Sequence, residues 1–357
     1  MSHPASRRLP AIDAIKVVAS QLIVLHHLAL YGPMANTVHT AAPGLVDALR
    51  NYALMAVPAF LVVGGFLAAR GLLPRLAELR LDALPPMLMK RYLRLTQPYF
   101  VALIAAIVCA WLARTLAPYP DVPGAPTPSQ VMSHLLLLQD IVGADALSTG
   151  VWYVAIDFQL YALLLLLVAM TWPLRRLVNT EHARIVLAVC AVLTVLSLFW
   201  LNRNRELEMW APYFFGAYGL GILAEQMSRR SVLSGTALLF AITGAALFVE
   251  WRGRILVAGV TALLLVWSRG GRLASPWASS GAIDFLSRIS YSLFLIHYPV
   301  SLLVGAIVTR WWPDSVALNA IGLLVTWATS IAAAAVLHRY TEAHGGERLA
   351  RPALIAR

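Results

Sequence analysis

Charged residues are scarce in this chain: they make up 13% of its 357 residues, whereas hydrophobic residues make up 60%. The mean hydropathy is +0.72, which excludes a soluble globular domain. Negatively charged residues are scarcer than positively charged ones, with 17 Asp and Glu against 28 Lys and Arg. The basic residues form short clusters between apolar runs rather than one patch, which argues against a nucleic-acid partner and indicates a polytopic membrane protein in a lipid bilayer.

Cysteine is also scarce, since the chain has only Cys109 and Cys190, and both lie inside apolar runs. A thiol in such a run behaves as a small hydrophobe, and no second thiol lies within sequence reach. We therefore expect neither a disulfide nor a metal site. The sequence also shows no soluble enzymatic domain, no low-complexity tail and no sustained repeat.

Apolar runs of about 17–25 residues, the length that crosses a bilayer, recur along the chain. The sequence predicts an all-α integral membrane protein with about ten transmembrane helices. Placing the N-terminus in the cytoplasm puts 20 Lys and Arg residues on the cytoplasmic side and seven on the other, so we expect cytoplasmic N- and C-termini. The predicted spans cover residues 11–31, 51–73, 97–117, 150–171, 183–201, 210–227, 232–250, 254–268, 285–310 and 316–338.

The predicted organisation is one membrane domain over residues 1–345 and a short basic cytoplasmic tail over residues 346–357. The largest segment outside the spans covers residues 117–150, and it begins with five prolines between positions 118 and 128. Such a run cannot be one helix. We place this segment on the outer side, where it could cover a site.

The first span contains Asp13, Lys16, His26 and His27 in an otherwise apolar run. At about 100° per residue, His27 lies about 20° from Lys16 and about 40° from Asp13, so these three share one stripe that must face protein or water. In one interpretation, Lys16 snorkels to the interface and the histidines only bond to other helices. In the other, an imidazole inside the bundle is reactive.

Asp157 and His27 are predicted at similar depths from the outer end of their spans, about 10 Å and about 6 Å. A carboxylate beside an imidazole holds its tautomer and raises its basicity, as abstraction of a proton from an alcohol requires. The alternative for Asp157 is a structural hydrogen bond between helices.

Arg91 and Arg94 are three residues apart, at the predicted cytoplasmic end of the third span. On a helix they share a face and can converge on phosphate oxygens. Ordinary anchoring by basic residues at the membrane surface is the alternative. In the ninth span, Tyr291 and His297 lie on nearly opposite faces, Pro299 predicts a kink, and structural packing is as good an explanation as function.

These stretches together resemble the acyltransferase-3 family of bacterial integral-membrane O-acyltransferases, over nearly the whole chain. The family pattern LDxxR, separated by ten residues from a following His, corresponds to Asp13, Lys16 and His27 in their order. The other matches are FFxxSGF with Phe60 to Phe66, RRxxRLxPxY with Lys90 to Tyr99, WxLxxExxxY with Trp152 to Tyr161, and GxxSYxLYLxHxP with Ser287 to Pro299. This chain departs from the family at Lys16, where arginine is usual, and at Asp157, where glutamate is usual.

The resemblance implies transfer of an acyl group, acetyl or succinyl, from cytoplasmic acyl-CoA to a hydroxyl of a carbohydrate or lipid-linked glycan in the bacterial inner membrane. It implies that Arg91 and Arg94 hold the CoA phosphates and that His27 is the general base or carries the acyl group itself. Asp157 would orient His27, and Lys16 would organise the donor path. The remaining residues expected along the substrate path are Asp13, Trp152, Tyr161, Tyr291 and His297.

Two other hypotheses stay open at this point. A transporter or flippase also has polar residues on interior stripes, although the two halves show no inverted repeat of hydropathy. An inactive relative that senses or scaffolds is compatible with the changes at Lys16 and Asp157.

Overall fold

The computed structural model describes residues 9–174, 181–269 and 280–343, which form α-helices, short 3-10 turns and loops, without a strand among them. The all-α fold predicted from the apolar runs is confirmed. The predicted tail, residues 346–357, lies outside the described residues. The α-helices are α1 (Pro10–Leu30), α2 (Pro33–His39), α3 (Pro43–Tyr52), α4 (Val57–Leu72), α5 (Leu84–Leu116), α6 (Pro128–Leu135), α7 (Val151–Thr171), α8 (His182–Phe199), α9 (Ala211–Arg230), α10 (Val232–Val249), α11 (Gly253–Arg269), α12 (Gly281–Trp311) and α13 (Val316–Thr341).

Among the described residues, eight helical stretches are long and apolar enough to cross a membrane, and each coincides with a predicted span. The other two predicted spans fall on α9 and α11, which are not among the eight. Helix α11 has 17 residues, and α9 ends in a polar stretch that includes Glu225, Arg229 and Arg230. The count of ten spans and the orientation of the termini therefore stay predictions.

Helix α5 begins 13 residues before the predicted span and runs for 33 residues with Pro98 inside it. Helix α12 is similar, with 31 residues and Pro299 inside it. Each proline removes one backbone hydrogen bond. The helices nevertheless continue past the prolines. In a bilayer there is no water to pair with backbone N–H and C=O groups, so these groups bond to each other within the helix.

The chain divides into two compact units, which we call the first and the second unit. The first unit comprises Met1–Ala19, Met55–Leu84 and Gln159–Ser287, and the second comprises Ser20–Leu54, Pro85–Phe158 and Arg288–Arg357. Helices α1, α7 and α12 therefore each contribute several residues to both units, and α5 contributes only its first residue, Leu84, to the first unit. Lys16 and His27, on the same helix, therefore belong to different units.

The first unit is organised by close packing of α4 against α9. A Cβ atom at Gly65 would overlap the carbonyl of Tyr218, and one at Gly221 would overlap the carbonyl of Val62. Only glycines allow two helix backbones to approach this closely. At Gly65 the neighbour that approaches the backbone is therefore helix α9.

In the second unit, the segment 117–150 binds tightly to the helices around it. The backbone N–H of Gly32 donates to a carboxylate oxygen of Asp121 (2.8 Å), and the Tyr298 hydroxyl donates to the Asp121 carbonyl (2.8 Å). The Tyr92 hydroxyl donates to the Leu135 carbonyl (2.6 Å). Tyr92 precedes the end of α5 by 24 residues, a helix rise of about 36 Å. The segment therefore lies along most of α5, and its position on the outer side of the membrane stays a prediction.

A buried histidine, His134, links two parts of the segment 117–150. The side chain of Thr127 caps α6 by accepting from the N–H of Gln130. His134 is fully buried, its Nδ1 donates to the Gln130 carbonyl (2.7 Å), and its Nε2 accepts from the N–H of Leu147 (3.1 Å). Both ring nitrogens are used in the neutral form. Burial also lowers the pKa of His134 below its ordinary value.

Candidate active site

The polar stripe of α1 faces α12 in both units, as a stripe that avoids lipid must. In the first unit, the Ser287 hydroxyl donates to the Asp13 carboxylate (2.6 Å). The Lys16 ammonium donates to the Ser287 carbonyl (2.8 Å) and lies 3.3 Å from its hydroxyl oxygen. Ser287 is 2% exposed. The three residues form a closed network in which the serine bridges the two charges.

In the second unit, the same stripe brings His27 against His297 of α12. His27 Nδ1 lies 2.8 Å from His297 Nε2, and the two rings are parallel within 4° with centroids 5.0 Å apart. His27 is 7% exposed and His297 is fully buried. A pair of imidazoles thus takes the place in which we expected an imidazole and a carboxylate.

The backbone determines the tautomers of this neutral pair. His297 Nδ1 lies 3.1 Å from the Leu293 carbonyl, and because a carbonyl only accepts, this nitrogen carries the proton. Nε2 of His297 is then an acceptor, and Nδ1 of His27 is the donor to it. The remaining nitrogen of His27, Nε2, therefore has a lone pair, and among the described residues it has no hydrogen-bond partner.

The neighbouring histidine is used differently. His26 is 4% exposed, and its Nδ1 donates to the Leu49 carbonyl (3.1 Å). This bond attaches α1 to α3, within the second unit. The structure thus gives His26 a backbone partner and gives His27 a partner that is itself a histidine.

The end of the segment 117–150 lies against the ring of His27. Gly150 has φ of +76°, a conformation that L side chains rarely adopt. A Cβ placed on it would lie 3.6 Å from His27 Cε1 and 2.8 Å from Phe294 Cζ. Helix α7 begins at the next residue, Val151. The positive φ and the close approach of Phe294 therefore favour glycine here, and a side chain at this position would also lie beside His27.

The predicted pairing of Asp157 with His27 is not what the structure shows. The Asp157 carboxylate lies 2.5 Å from the Arg91 guanidinium, and the side chains are 7% and 26% exposed. Arg91 is therefore engaged inside the second unit, whereas Arg94 is exposed. Depth along a helix does not determine which neighbour a side chain faces, and Asp157 faces Arg91 of α5.

The other predicted path residues are spread over both units. The Tyr291 hydroxyl donates to the Leu95 carbonyl (2.9 Å) and lies within electrostatic range of Asp157 and Arg91. Trp152 is half-buried in the second unit, one residue from Val151, whereas Tyr161, also half-buried, belongs to the first unit. Among these residues the structure therefore associates Tyr291 with the Arg91–Asp157 pair.

Sequence reasoning missed two contributors to the site. Ser287 bridges Asp13 and Lys16, yet its only signal was its position at the start of the motif in α12. Gly150 is the first residue of a predicted span, and a glycine at the start of a helix is too common to attract attention. No group of three or more His, Cys, Asp or Glu residues within the described ranges is arranged to hold a metal ion.

The arrangement around His27 can accept a proton. Its Nε2 carries a lone pair, Nδ1 is held by a second imidazole, and the surroundings are largely dry. Such a ring can remove a proton from a bound hydroxyl group and later return it to a leaving group, or it can attack an electrophile directly.

Comparison with known proteins identifies the family. The model of the acyltransferase domain family known as acyltransferase 3 matches residues 9–338. No curated protein gave a significant match, and neither did any solved structure. The matched region includes every predicted site residue from Asp13 to His297.

Proposed function

Because the chain belongs to the acyltransferase-3 family and is a membrane acyltransferase, we propose that it moves an acyl group from acyl-CoA to a hydroxyl group. We propose acetyl-CoA or succinyl-CoA as the donor and a carbohydrate or lipid-linked glycan as the acceptor, with the enzyme in the bacterial inner membrane. The observation that supports this most is the lone pair on Nε2 of His27, held in a buried imidazole pair.

In the proposed reaction, His27 Nε2 removes the proton of the acceptor hydroxyl as its oxygen attacks the thioester carbonyl carbon. The carbonyl π electrons move to the oxygen and form a tetrahedral intermediate. When the C=O bond forms again, the C–S bond breaks, and the CoA sulfur takes the proton from Nε2 of His27. The ester and free CoA leave with His27 restored.

His297 is a positioning residue in this proposal. It accepts the Nδ1 proton of His27, so that the basic nitrogen is always the one that faces the acceptor. When Nε2 is protonated during the reaction, the imidazolium keeps its hydrogen bond to His297, and the Leu293 carbonyl holds His297 in turn. The role resembles that of the carboxylate in a serine hydrolase, although a neutral imidazole stabilises the imidazolium less.

For the donor, exposed Arg94 is the better of the two predicted phosphate ligands. A guanidinium presents several donors to phosphate oxygens in a fixed geometry. Arg91 already binds Asp157, so that its contribution to phosphate binding would require the ion pair to open. We therefore propose Arg94 as the main CoA contact and Arg91 as a residue that shapes the path.

The test is release of free CoA by the purified protein in detergent from acetyl-CoA and from succinyl-CoA. His27→Ala should lose turnover by about 1,000-fold, the range for a general base. The matched control is His26→Ala, one residue away and equally buried, which should stay within threefold of the wild type.

Equal losses in both variants would contradict the assignment of His27. No CoA release by the wild type, together with no CoA-dependent thermal shift, would contradict the acyl-CoA proposal and would favour a transporter or an inactive relative.

A further inference from the structure

Tyr31 lies one helical turn beyond the proposed base. It follows His27 by four residues, and its backbone N–H donates to the His27 carbonyl (3.0 Å), which continues the turn past the end of α1. Residues four apart on a helix lie about 40° apart on one face and about 6 Å apart along the axis. The rings of Tyr31 and His27 accordingly have centroids 5.8 Å apart and are inclined by 46°. Within the second unit, Tyr31 thus lies directly beside the base.

The hydroxyl of Tyr31 and Nε2 of His27 are both accessible. Tyr31 is partly exposed, and its Oη makes no hydrogen bond to the residues that the structure describes. Some buried side-chain atoms of these residues lack a partner, such as Oη of Tyr99, but neither Oη of Tyr31 nor Nε2 of His27 is among them. Solvent can therefore reach both atoms, and a hydroxyl group of an acceptor is no larger than the water that it would replace.

The neighbours of Tyr31 hold its ring in place. The ring meets that of Tyr298 edge to face, with centroids 5.7 Å apart and planes at 70°. The Tyr298 hydroxyl donates to the Asp121 carbonyl (2.8 Å), and the next residue of the chain, Gly32, donates its N–H to the Asp121 carboxylate (2.8 Å). Asp121 thus holds two neighbours of Tyr31. Because the ring is already positioned, little conformational entropy is lost when a ligand packs against it.

A purely structural role does not account for the hydroxyl of Tyr31. Tyr298, which packs against it, uses its own hydroxyl to bind the segment 117–150. The hydroxyl of Tyr31 holds no described residue, and a phenylalanine would present the same ring to His27 and Tyr298. The hydroxyl is therefore available to a ligand.

These properties fit a saccharide. A tyrosine offers an apolar ring face and a hydroxyl that both donates and accepts hydrogen bonds. A sugar has the same combination, with C–H groups on the faces of its ring and hydroxyls around its edge. Neither ring that contacts Tyr31 among the described residues carries a permanent charge, and the nearby Asp121 carboxylate would repel an anion. The arrangement thus suits a neutral acceptor that is rich in hydroxyl groups.

We propose that Tyr31 binds the saccharide acceptor, with its ring against one face of the sugar and its Oη on a sugar hydroxyl next to the one that reacts. The inference rests on the proposed function, because it names the residue that positions the acceptor at the base of that reaction. The reacting hydroxyl gives its proton to His27 Nε2 as its oxygen bonds to the thioester carbon. That proton passes to the CoA sulfur when the C–S bond breaks. Tyr31 keeps its own proton, so that it orients the acceptor and transfers nothing.

The test is CoA release from acetyl-CoA by the full-length protein in detergent, with and without the methyl glycosides of glucose, galactose, mannose and N-acetylglucosamine as acceptor probes. KM is then measured for the glycoside that raises the rate most. Tyr31→Phe should raise this KM about fivefold, the effect of one hydrogen bond, and Tyr31→Ala about 30-fold, because the ring contact is lost as well. KM for acetyl-CoA should stay within twofold of the wild type in both variants.

The matched control is Tyr52→Ala, which removes another tyrosine at a helix end of the second unit, one that is 73% exposed. It should leave both KM values within twofold of the wild type. Thermal unfolding of each variant separates binding from folding, and Tyr31→Phe removes only one oxygen atom.

An unchanged KM for the glycoside in Tyr31→Phe or in Tyr31→Ala would overturn the proposal. Equal rises in KM for the glycoside and for acetyl-CoA would overturn it too, because Tyr31 would then shape the whole site. If none of the glycosides raised the rate while the wild type hydrolysed acetyl-CoA, the saccharide site would be overturned and transfer from acyl-CoA would remain. Absence of any turnover by the wild type would instead contradict the proposed function.

Discussion

Helix α1 meets α12 at two places, and the two places differ in how completely their polar atoms are paired. In the first unit, Asp13, Lys16 and Ser287 form a closed network of charge and hydroxyl. In the second unit, the pairing of His27 with His297 leaves one nitrogen of His27 open. The first arrangement can hold the two helices together, whereas the open nitrogen in the second can accept a proton from a substrate. Polar residues on one stripe of one helix thus have different roles.

Among substitutions that test the difference between the two places, one at His297 should have the largest effect on kcat. His297→Ala removes the acceptor of the His27 Nδ1 proton, so that His27 loses its fixed tautomer and orientation. We expect kcat for CoA release to fall by about 100-fold, while KM changes little. The control is His182→Ala, a buried histidine of the first unit that bonds to Thr171 (3.0 Å). A kcat within threefold of the wild type in His297→Ala would contradict its positioning role.

The next largest effect should come from Asp157, and it tests whether this residue acts independently of the pair of His27 and His297. Asp157→Asn leaves Arg91 half-buried without its counter-charge, and we expect a loss of about 2 kcal/mol in the free energy of unfolding. Asp157→Glu should recover most of it, since the longer carboxylate can still reach the guanidinium. The measurement is denaturant unfolding in detergent. If Asp157→Asn instead kept its stability and lost kcat as His297→Ala does, Asp157 would act on His27 after all.

A smaller effect is expected where α1 meets α12 in the first unit. Ser287→Ala removes the hydroxyl that bridges Asp13 and Lys16, and a hydrogen bond to a charged group contributes about 1.5 kcal/mol. We expect a lower Tm and less than a tenfold loss of kcat. Lys16→Arg should be tolerated better than Lys16→Met, because it keeps the charge. A loss of kcat as large as in His297→Ala, without a change in Tm, would make this network catalytic rather than structural.

The smallest effect should be on stability, and it concerns His134 in the segment 117–150, which ends at Gly150 beside His27. Burial lowers the pKa of His134, so that the folded state keeps it neutral while the unfolded chain takes up a proton near pH 6.5. Stability should therefore fall as the pH drops from 6.5 towards the lower pKa of the folded state. The nearby carboxyl of Asp140 has its pKa raised by burial from 3.8, so its contribution has the opposite sign.

The measurement for His134 is Tm between pH 7.5 and pH 5.5. We expect a drop of about 2 °C in the wild type and a smaller drop in His134→Gln, which does not titrate. Equal slopes in the two proteins would contradict the role of His134 in the pH dependence.

Much of the fold could be predicted because apolar run length determines where helices can cross a bilayer. The stripe of Asp13, Lys16 and His27 could also be predicted, since it depends only on the period of a single helix. The partner of Asp157 could not be predicted, because depth along a helix does not tell which face of which neighbour it meets. His297 lies 270 residues from His27, and helical periodicity does not pair residues on two helices so far apart in the chain.

The most direct test of the account compares His27→Ala, His297→Ala and the double variant in CoA release from acetyl-CoA. If His297 acts only by holding His27, removing it from a protein that already lacks His27 changes nothing. The account predicts that the double variant is as slow as His27→Ala alone. A further loss of about 100-fold in the double variant, so that the two effects multiply, would contradict it and would give His297 an independent role.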